Sequence, residues 1–366
     1  MFFRATIPAA ALFLTIACVH NEQALIDEKK ADLGRQIFFD TTLSQPTGQS
    51  CASCHSPSAA FAAPTSTMTA GISHGADATK FAKRNSPSIA YALFSPPLKF
   101  DDAAGTWVGG QFLDHRSATL AEQATQPFLA AAEMGNSSGD AVLSKIQGRS
   151  YAAQFKEVFG AGIFSDSATA YRKVGEAIAE FERSESFSRF TSKFDAFRRG
   201  RANLSETELH GLALFNGKGN CAACHPSAGT APLFTDFTND NIGVPKNAAN
   251  PFYTQSAAIN PDGAGFIDKG LGATLGDSAF DGRFKVPSLR NVAATAPYMH
   301  NGVFTSLRQV VQFYNSACAA GNPDGWADPE VADNRNCKEL GDLGLSDSEI
   351  DALVAFLETL TDGFTP

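Results

Sequence analysis

Strand periodicity is nearly absent from this chain of 366 residues: no segment alternates apolar and polar residues convincingly enough to read as a half-buried strand. That argues against a β-sandwich or barrel and leaves a mainly α fold. Positive charge is also scarce. Lys and Arg number 29 against 38 Asp and Glu, a formal net charge of −9, and such an acidic surface repels nucleic acid and anionic membranes. A basic redox partner is compatible with it. Beyond the N-terminus no apolar run is long enough to cross a bilayer. Polar aromatics are few, with six Tyr against 30 Phe, so apolar rings fill the interior.

The N-terminus has the pattern of an export signal. Arg4 supplies positive charge, residues 7–17 form a short apolar run, and small residues precede Cys18. Residues 1–18 are expected to be a signal peptide and the mature chain to be periplasmic. Cys18 also stands where a lipidated first residue would stand, although Thr15 occupies a position that lipoprotein signals usually give to Leu. A lipid anchor and a plain cleaved signal both stay open. Among the remaining cysteines, Cys318 and Cys337 either form a disulfide across the late loop or stay separate thiols.

Four cysteines fall in two motifs, Cys51-Ala52-Ser53-Cys54-His55 and Cys221-Ala222-Ala223-Cys224-His225. Each offers two thiols for thioether bonds to haem vinyl groups and a His for one side of the iron. Zinc binding or redox thiols are other uses of one such motif. Two copies behind an export signal imply two covalently bound c-type haems. Leu33-Gly34-Arg35-Gln36-Ile37-Phe38-Phe39 precedes the first motif and Gly211-Leu212-Ala213-Leu214-Phe215 the second, a weak internal repeat. The expectation is two cytochrome c-like domains, residues 24–190 and 200–366, divided between 184 and 203 near Arg198-Arg199-Gly200-Arg201.

Helical patterns cover 26–39, 118–124, 141–159 and 168–183. Ser205 with Glu208, and Ser346 with Glu349, have capping-box spacing and start two more helices. In the last, Ile350, Leu353, Val354, Leu357 and Leu360 form an apolar stripe that reads as core. Gly- and Pro-rich stretches at 56–97, 226–282 and 315–344 are long loops, a length that usually accompanies function.

Further landmarks are Arg84-Asn85-Ser86-Pro87-Ser88, Gln111-Phe112-Leu113-Asp114-His115-Arg116, Gln123, Glu133-Met134, Val286-Pro287-Ser288-Leu289-Arg290-Asn291 and Thr295-Ala296-Pro297-Tyr298-Met299-His300. With the two haem motifs, they resemble the bacterial di-haem cytochrome c peroxidase and MauG superfamily over nearly the whole mature chain. The resemblance implies that the first haem is the peroxidatic one. It assigns Glu133 to proton transfer on peroxide and Gln123 to orienting it. It places His74 in the loop whose histidine blocks the resting iron in the peroxidases; a solvated loop histidine is the alternative.

For the second haem the resemblance puts the axial ligand opposite His225 at Tyr314, where the peroxidases have Met, with a core Tyr or Met299 as ligand being the alternatives. It also implies a calcium ion held by Asn85, Thr295 and Pro297. One departure is Leu113, where the family has a Trp between the haems, and another is His115, where it has Gly. Trp107 and His115 are candidates for the missing relay, and His115 is alternatively a propionate partner. Lys285 and Arg290 either pair with haem propionates or are solvated.

The expected function is a periplasmic di-haem peroxidase that reduces hydrogen peroxide with electrons from a small redox protein, a cytochrome c or cupredoxin. Two alternatives stand beside it: oxidative modification of a protein substrate, as in MauG-like enzymes, and electron transfer without turnover. A homodimer is compatible with any of the three.

Overall fold

The computed structural model describes residues 9–365, with side chains described from residue 24 onward. The export signal, including Arg4 and Cys18, lies outside the residues whose side chains are described. Among the described residues no helix is long and apolar enough to cross a membrane.

The first half comprises α1 (Ala9–Phe39), α2 (Cys51–Cys54), α3 (Leu120–Leu129), α4 (Gly139–Gln147), α5 (Ala152–Phe159) and α6 (Ser167–Glu182). The second comprises α7 (Lys193–Arg198), α8 (Glu206–Asn216), α9 (Leu271–Leu275), α10 (Leu307–Ser316) and α11 (Asp347–Glu358). Side-chain caps start most of the longer ones: Thr119 on α3, Ser138 on α4 and Asp166 on α6 each accept a bond from a first-turn N–H. Both expected capping boxes form at Ser205/Glu208 and Ser346/Glu349, and a third, Ser192/Asp195, opens α7.

The helical pattern over 141–159 proves to be two helices. Gly148 caps α4, and the chain turns before α5 begins. Neither α7 nor α10 was evident in the sequence pattern. Among the described residues the strands form three antiparallel ribbons of two or three residues: Met68–Thr69 with Ile72–Ser73, Lys99–Asp101 with Thr106–Val108, and Asn239–Asp240 with Phe284–Lys285. They are too short to display a period of two.

Two hydrophobic cores organise the chain. One gathers Leu33, Ile37, Phe38, Phe128, Ile146, Phe155, Val174, Ile178 and Phe187, and the other Phe194, Leu214, Phe215, Phe234, Ile350, Leu353 and Phe356. The internal repeat has a structural counterpart. Gly34 of α1 lies against α6 so closely that a Cβ there would collide with the Ala177 carbonyl, and Gly211 of α8 lies against α11 with the same relation to the Ala352 carbonyl. Four residues on, Phe38 and Phe215 are both almost fully buried. In each half a glycine lets the helix before the haem motif cross the half's last long helix at close range. In the late loop Cys318 and Cys337 are bonded, with Cα atoms 5.8 Å apart.

Candidate haem and peroxide site

A cavity of about 730 Å³ runs through the interior and is lined by Cys51, Cys54 and His55 of one motif and Cys221, Cys224 and His225 of the other. His55 Nδ1 lies 3.2 Å from the Phe61 carbonyl and His225 Nδ1 lies 2.7 Å from the Phe234 carbonyl. A carbonyl only accepts, so each Nδ1 carries the proton and each Nε2 keeps its lone pair for an iron. Burial holds both imidazoles below their usual range, in the neutral form that ligates. Burial pushes the Cys54 thiol up to about 11 and the Cys221 and Cys224 thiols up to about 12.

Among the described residues, no cluster of three or more His, Cys, Asp or Glu is placed to hold a metal ion. The donors and the space therefore fit two c-type haems.

Gln123 comes from α3, and the turn that follows returns Glu133 to the same wall of the cavity. The Glu133 N–H bonds the Ala130 carbonyl at 2.9 Å, and its carbonyl accepts from Ala76 N–H at 2.7 Å, tying this turn to the His74 loop. Burial raises the Glu133 carboxyl above its ordinary range, and its charge acts on the Cys54 thiol. His74 reaches the cavity wall although it is largely exposed; its Nδ1 donates to the Gly75 carbonyl at 2.9 Å.

At the other end α10 carries Tyr314 to the wall beside the second motif. Burial pushes its phenol well above the usual range. Met299 also lines the cavity. Asn85 Nδ2 donates to the Pro297 carbonyl at 2.7 Å, and the buried Asn85 Oδ1 has no partner. Thr295 lies on the same cavity wall.

The basic and aromatic candidates sit in distinct surroundings. Arg290 is not solvated: it is buried on the cavity wall, with Nη1 and Nη2 donating to Asp195 and Nε to the Pro232 carbonyl. Among the described residues Lys285 has no carboxylate within ion-pair distance: it bonds Ser95 Oγ at 3.1 Å and the Gly110 carbonyl at 2.7 Å, and burial lowers it to about 8. Leu113 lines the cavity, but neither Trp107 nor His115 is among its lining residues. Trp107 sits in a surface ribbon with its ring edge-on to the exposed Phe100. His115 is wholly buried; its Nδ1 donates to the Gly109 carbonyl at 2.6 Å and its Nε2 has no partner among the described residues.

Sequence reasoning missed three features. Arg84 bonds Asp268 at 2.6 and 2.7 Å and Asp114 at 2.6 Å, a buried network on the cavity wall. Glu182, the last residue of α6, is 4% exposed and lines the cavity; burial lifts its carboxyl to about 8, and Oε2 has no partner. A signal existed, because Glu182 continues the buried row of Val174 and Ile178 at four-residue spacing. Tyr91, also buried, faces the cavity as well.

A family model described as di-haem cytochrome c peroxidase matches residues 28–203. The methylamine utilization protein MauG of Paracoccus denitrificans is 39% identical, over 96% of this chain and 93% of that protein. The cytochrome c551 peroxidase of Nitrosomonas europaea is 31% identical, over 90% of this chain and 79% of its own length. The crystal structure of the diheme peroxidase BthA from Burkholderia thailandensis superposes with a TM-score of 0.81 at 36% identity, covering 91% of this chain and 86% of that one. With the two haem-binding halves, the shared cavity and full-length similarity all in agreement, the chain belongs to the di-haem cytochrome c peroxidase family and is a mainly helical, two-haem c-type oxidoreductase.

Proposed function

We propose that this protein is a periplasmic peroxidase in which hydrogen peroxide is reduced beside Cys51, Cys54 and His55, while electrons enter through the site of Cys221, Cys224 and His225. The observation that carries the reading is the asymmetry of one cavity: Gln123 and Glu133 line it at the first motif, Tyr314 at the second. When bound, the haems supply the iron that exchanges electrons with peroxide. The chain supplies proton handling and orientation. Glu133 takes a proton from the attacked peroxide oxygen and delivers it to the departing one, a task suited to a carboxyl that burial has raised. The Gln123 amide orients the peroxide by hydrogen bonding. The sum is one peroxide, two electrons and two protons giving two waters.

His74, whose Nδ1 donates to the Gly75 carbonyl, would offer its Nε2 to the iron of the first haem. Tyr314 and His225 would both hold the iron of the second haem. The pairing of Asn85 with Pro297, the orphaned Asn85 Oδ1 and the nearby Thr295 form an oxygen-rich site suited to calcium once the Asn85 amide turns its oxygen inward. The two haem-binding units are residues 24–190 and 200–366. The electron donor is a small redox protein, a cytochrome c or cupredoxin.

A second reading, oxidation of a side chain on a partner protein, is favoured by Tyr314, since a phenolate lowers a haem potential relative to Met and stabilises higher oxidation states. Steady-state turnover with a reduced cytochrome c or cupredoxin separates the two, because only the peroxidase turns over rapidly on such a donor. Glu133→Gln tests the shared chemistry. Peroxide turnover is expected to fall by roughly 10²–10⁴-fold with both haems still attached; unchanged turnover removes Glu133 from the mechanism.

A further inference from the structure

We propose that Tyr91 is a redox-active residue of the peroxidase reaction, giving one electron to the peroxide-oxidised centre while its phenolic proton passes to Asp362. This rests on the reading that peroxide is reduced at the first motif. Tyr91 is 2% exposed and lines the haem cavity. Its hydroxyl lies 2.8 Å from Asp362 Oδ2 and 2.9 Å from the Phe190 N–H. The N–H only donates and the carboxylate only accepts, so the phenolic proton must point at Asp362.

Asp362 is itself fixed, its Oδ2 accepting from Asn291 Nδ2 at 3.0 Å and its Oδ1 from Thr191 N–H at 2.8 Å. Oxidising a phenol is favourable only when its proton can leave at the same time, which requires a base within hydrogen-bond reach. Three tyrosines line the cavity: Tyr91, Tyr298 and Tyr314. Tyr298 donates to the Val292 carbonyl at 3.1 Å, which cannot keep the proton, and Tyr314 is assigned to the second iron. Tyr91 alone of these three points at a carboxylate.

The internal repeat adds a second line of argument. Ser88 bonds the Ala60 carbonyl and accepts from Ala90 N–H, and Ser288 bonds the Leu233 carbonyl and accepts from Arg290 N–H. Three residues after each Ser the backbone is left-handed, with φ of 62° at Tyr91 and 63° at Asn291. The second half fills this position with Asn, which tolerates that conformation, and the first half with a bulky Tyr, which does so less readily. The first half thus places a phenol on the cavity wall where the second half has an amide. Leu113 cannot carry a hole, and Trp107 and His115 do not line the cavity, so none of the three offers an oxidisable side chain on its wall. Tyr91 lies at the seam between the halves, with the Arg290 guanidinium 5.0 Å from its ring centre and Phe190 at 4.9 Å.

The step balances. The Tyr91 O–H bond breaks, an Asp362 O–H bond forms, and the electron lost is one of the two that peroxide takes. Tyr91 is left as a neutral phenoxyl, and it recovers its proton from Asp362 when an electron arrives from the second centre.

The test is freeze-quenched electron paramagnetic resonance of the holoprotein after one equivalent of hydrogen peroxide, prepared with ordinary and with ring-deuterated tyrosine. The expected result is an organic radical whose signal narrows on deuteration. It falls at least ten-fold in Tyr91→Phe, while the optical response of the haems to peroxide persists. The labelled, unsubstituted chain keeps the test independent of any variant's folding, and a signal there that is absent or does not narrow overturns the proposal. A radical of full intensity in Tyr91→Phe also overturns it. No optical response in the unsubstituted protein overturns the peroxidase reading, and this proposal with it.

Discussion

Asp195 and Arg290 form a two-point ion pair, Nη1 to Oδ2 at 2.9 Å and Nη2 to Oδ1 at 3.0 Å, with both side chains 1% exposed. Asp195 also closes the capping box that opens α7. Burial by itself would raise the Asp195 carboxyl, but Arg290 and Ser192 hold it below its ordinary range. Its contribution is therefore present above the unfolded pKa and lost as pH falls through the folded one. Arg290→Ala leaves that carboxylate buried without its partner and is expected to lower unfolding free energy by about 3–5 kcal/mol. Urea denaturation of the holoprotein measures this; a loss within the range of a surface substitution would show the pair to be dispensable.

Glu182 makes the opposite pH prediction. Burial raises its folded pKa to about 8, against an unfolded value of 4.5. Between those values the folded protein holds a proton that the unfolded chain releases, so stability falls as pH rises through the window. Glu182→Gln removes that slope. The variant's melting temperature should gain on the unsubstituted protein from about pH 5 to about pH 8, with a steepest difference of about 1.4 kcal/mol per pH unit. Parallel curves for the two proteins would mean that Glu182 is ionised in the fold.

Tyr314→Met tests the proposed second axial ligand. Replacing a phenolate by a thioether opposite His225 should raise the potential of that haem and leave the other unchanged. Spectroelectrochemical titration separates the two couples. An unmoved second couple would place Tyr314 off the iron.

The Cys318–Cys337 disulfide joins residues 19 apart. Cross-linking a loop of that length restricts the unfolded chain by about 3 kcal/mol in the chain-entropy account. Replacing both cysteines by Ser should lower stability by about that amount at unchanged haem content. Equal denaturation midpoints under reducing and oxidising conditions would count against the bond.

Some of this was written locally. The spacing within each Cys-x-x-Cys-His, and the Ser-to-Glu spacings at Ser205 and Ser346, specify groups within one helical turn of each other, so sequence neighbours alone determine the haem attachments and those helix starts. The glycine and phenylalanine repeat, Gly34 with Phe38 and Gly211 with Phe215, likewise announced two similar halves.

What the sequence left open depends on partners brought together only by packing. Arg290 meets an Asp195 that lies 95 positions earlier, and Tyr91 meets an Asp362 that lies 271 positions later. Glu182 looked like an ordinary helix-end carboxylate until the wall of the cavity closed around it. The placement of Trp107 and His115 away from the cavity, and of Tyr91 on it, likewise follows from how the loops fold over the seam. Local spacing determined where two haems attach, whereas tertiary burial decided which charges are neutralised and which cavity tyrosine has a base, because desolvation and long-range contact are properties of the assembled core.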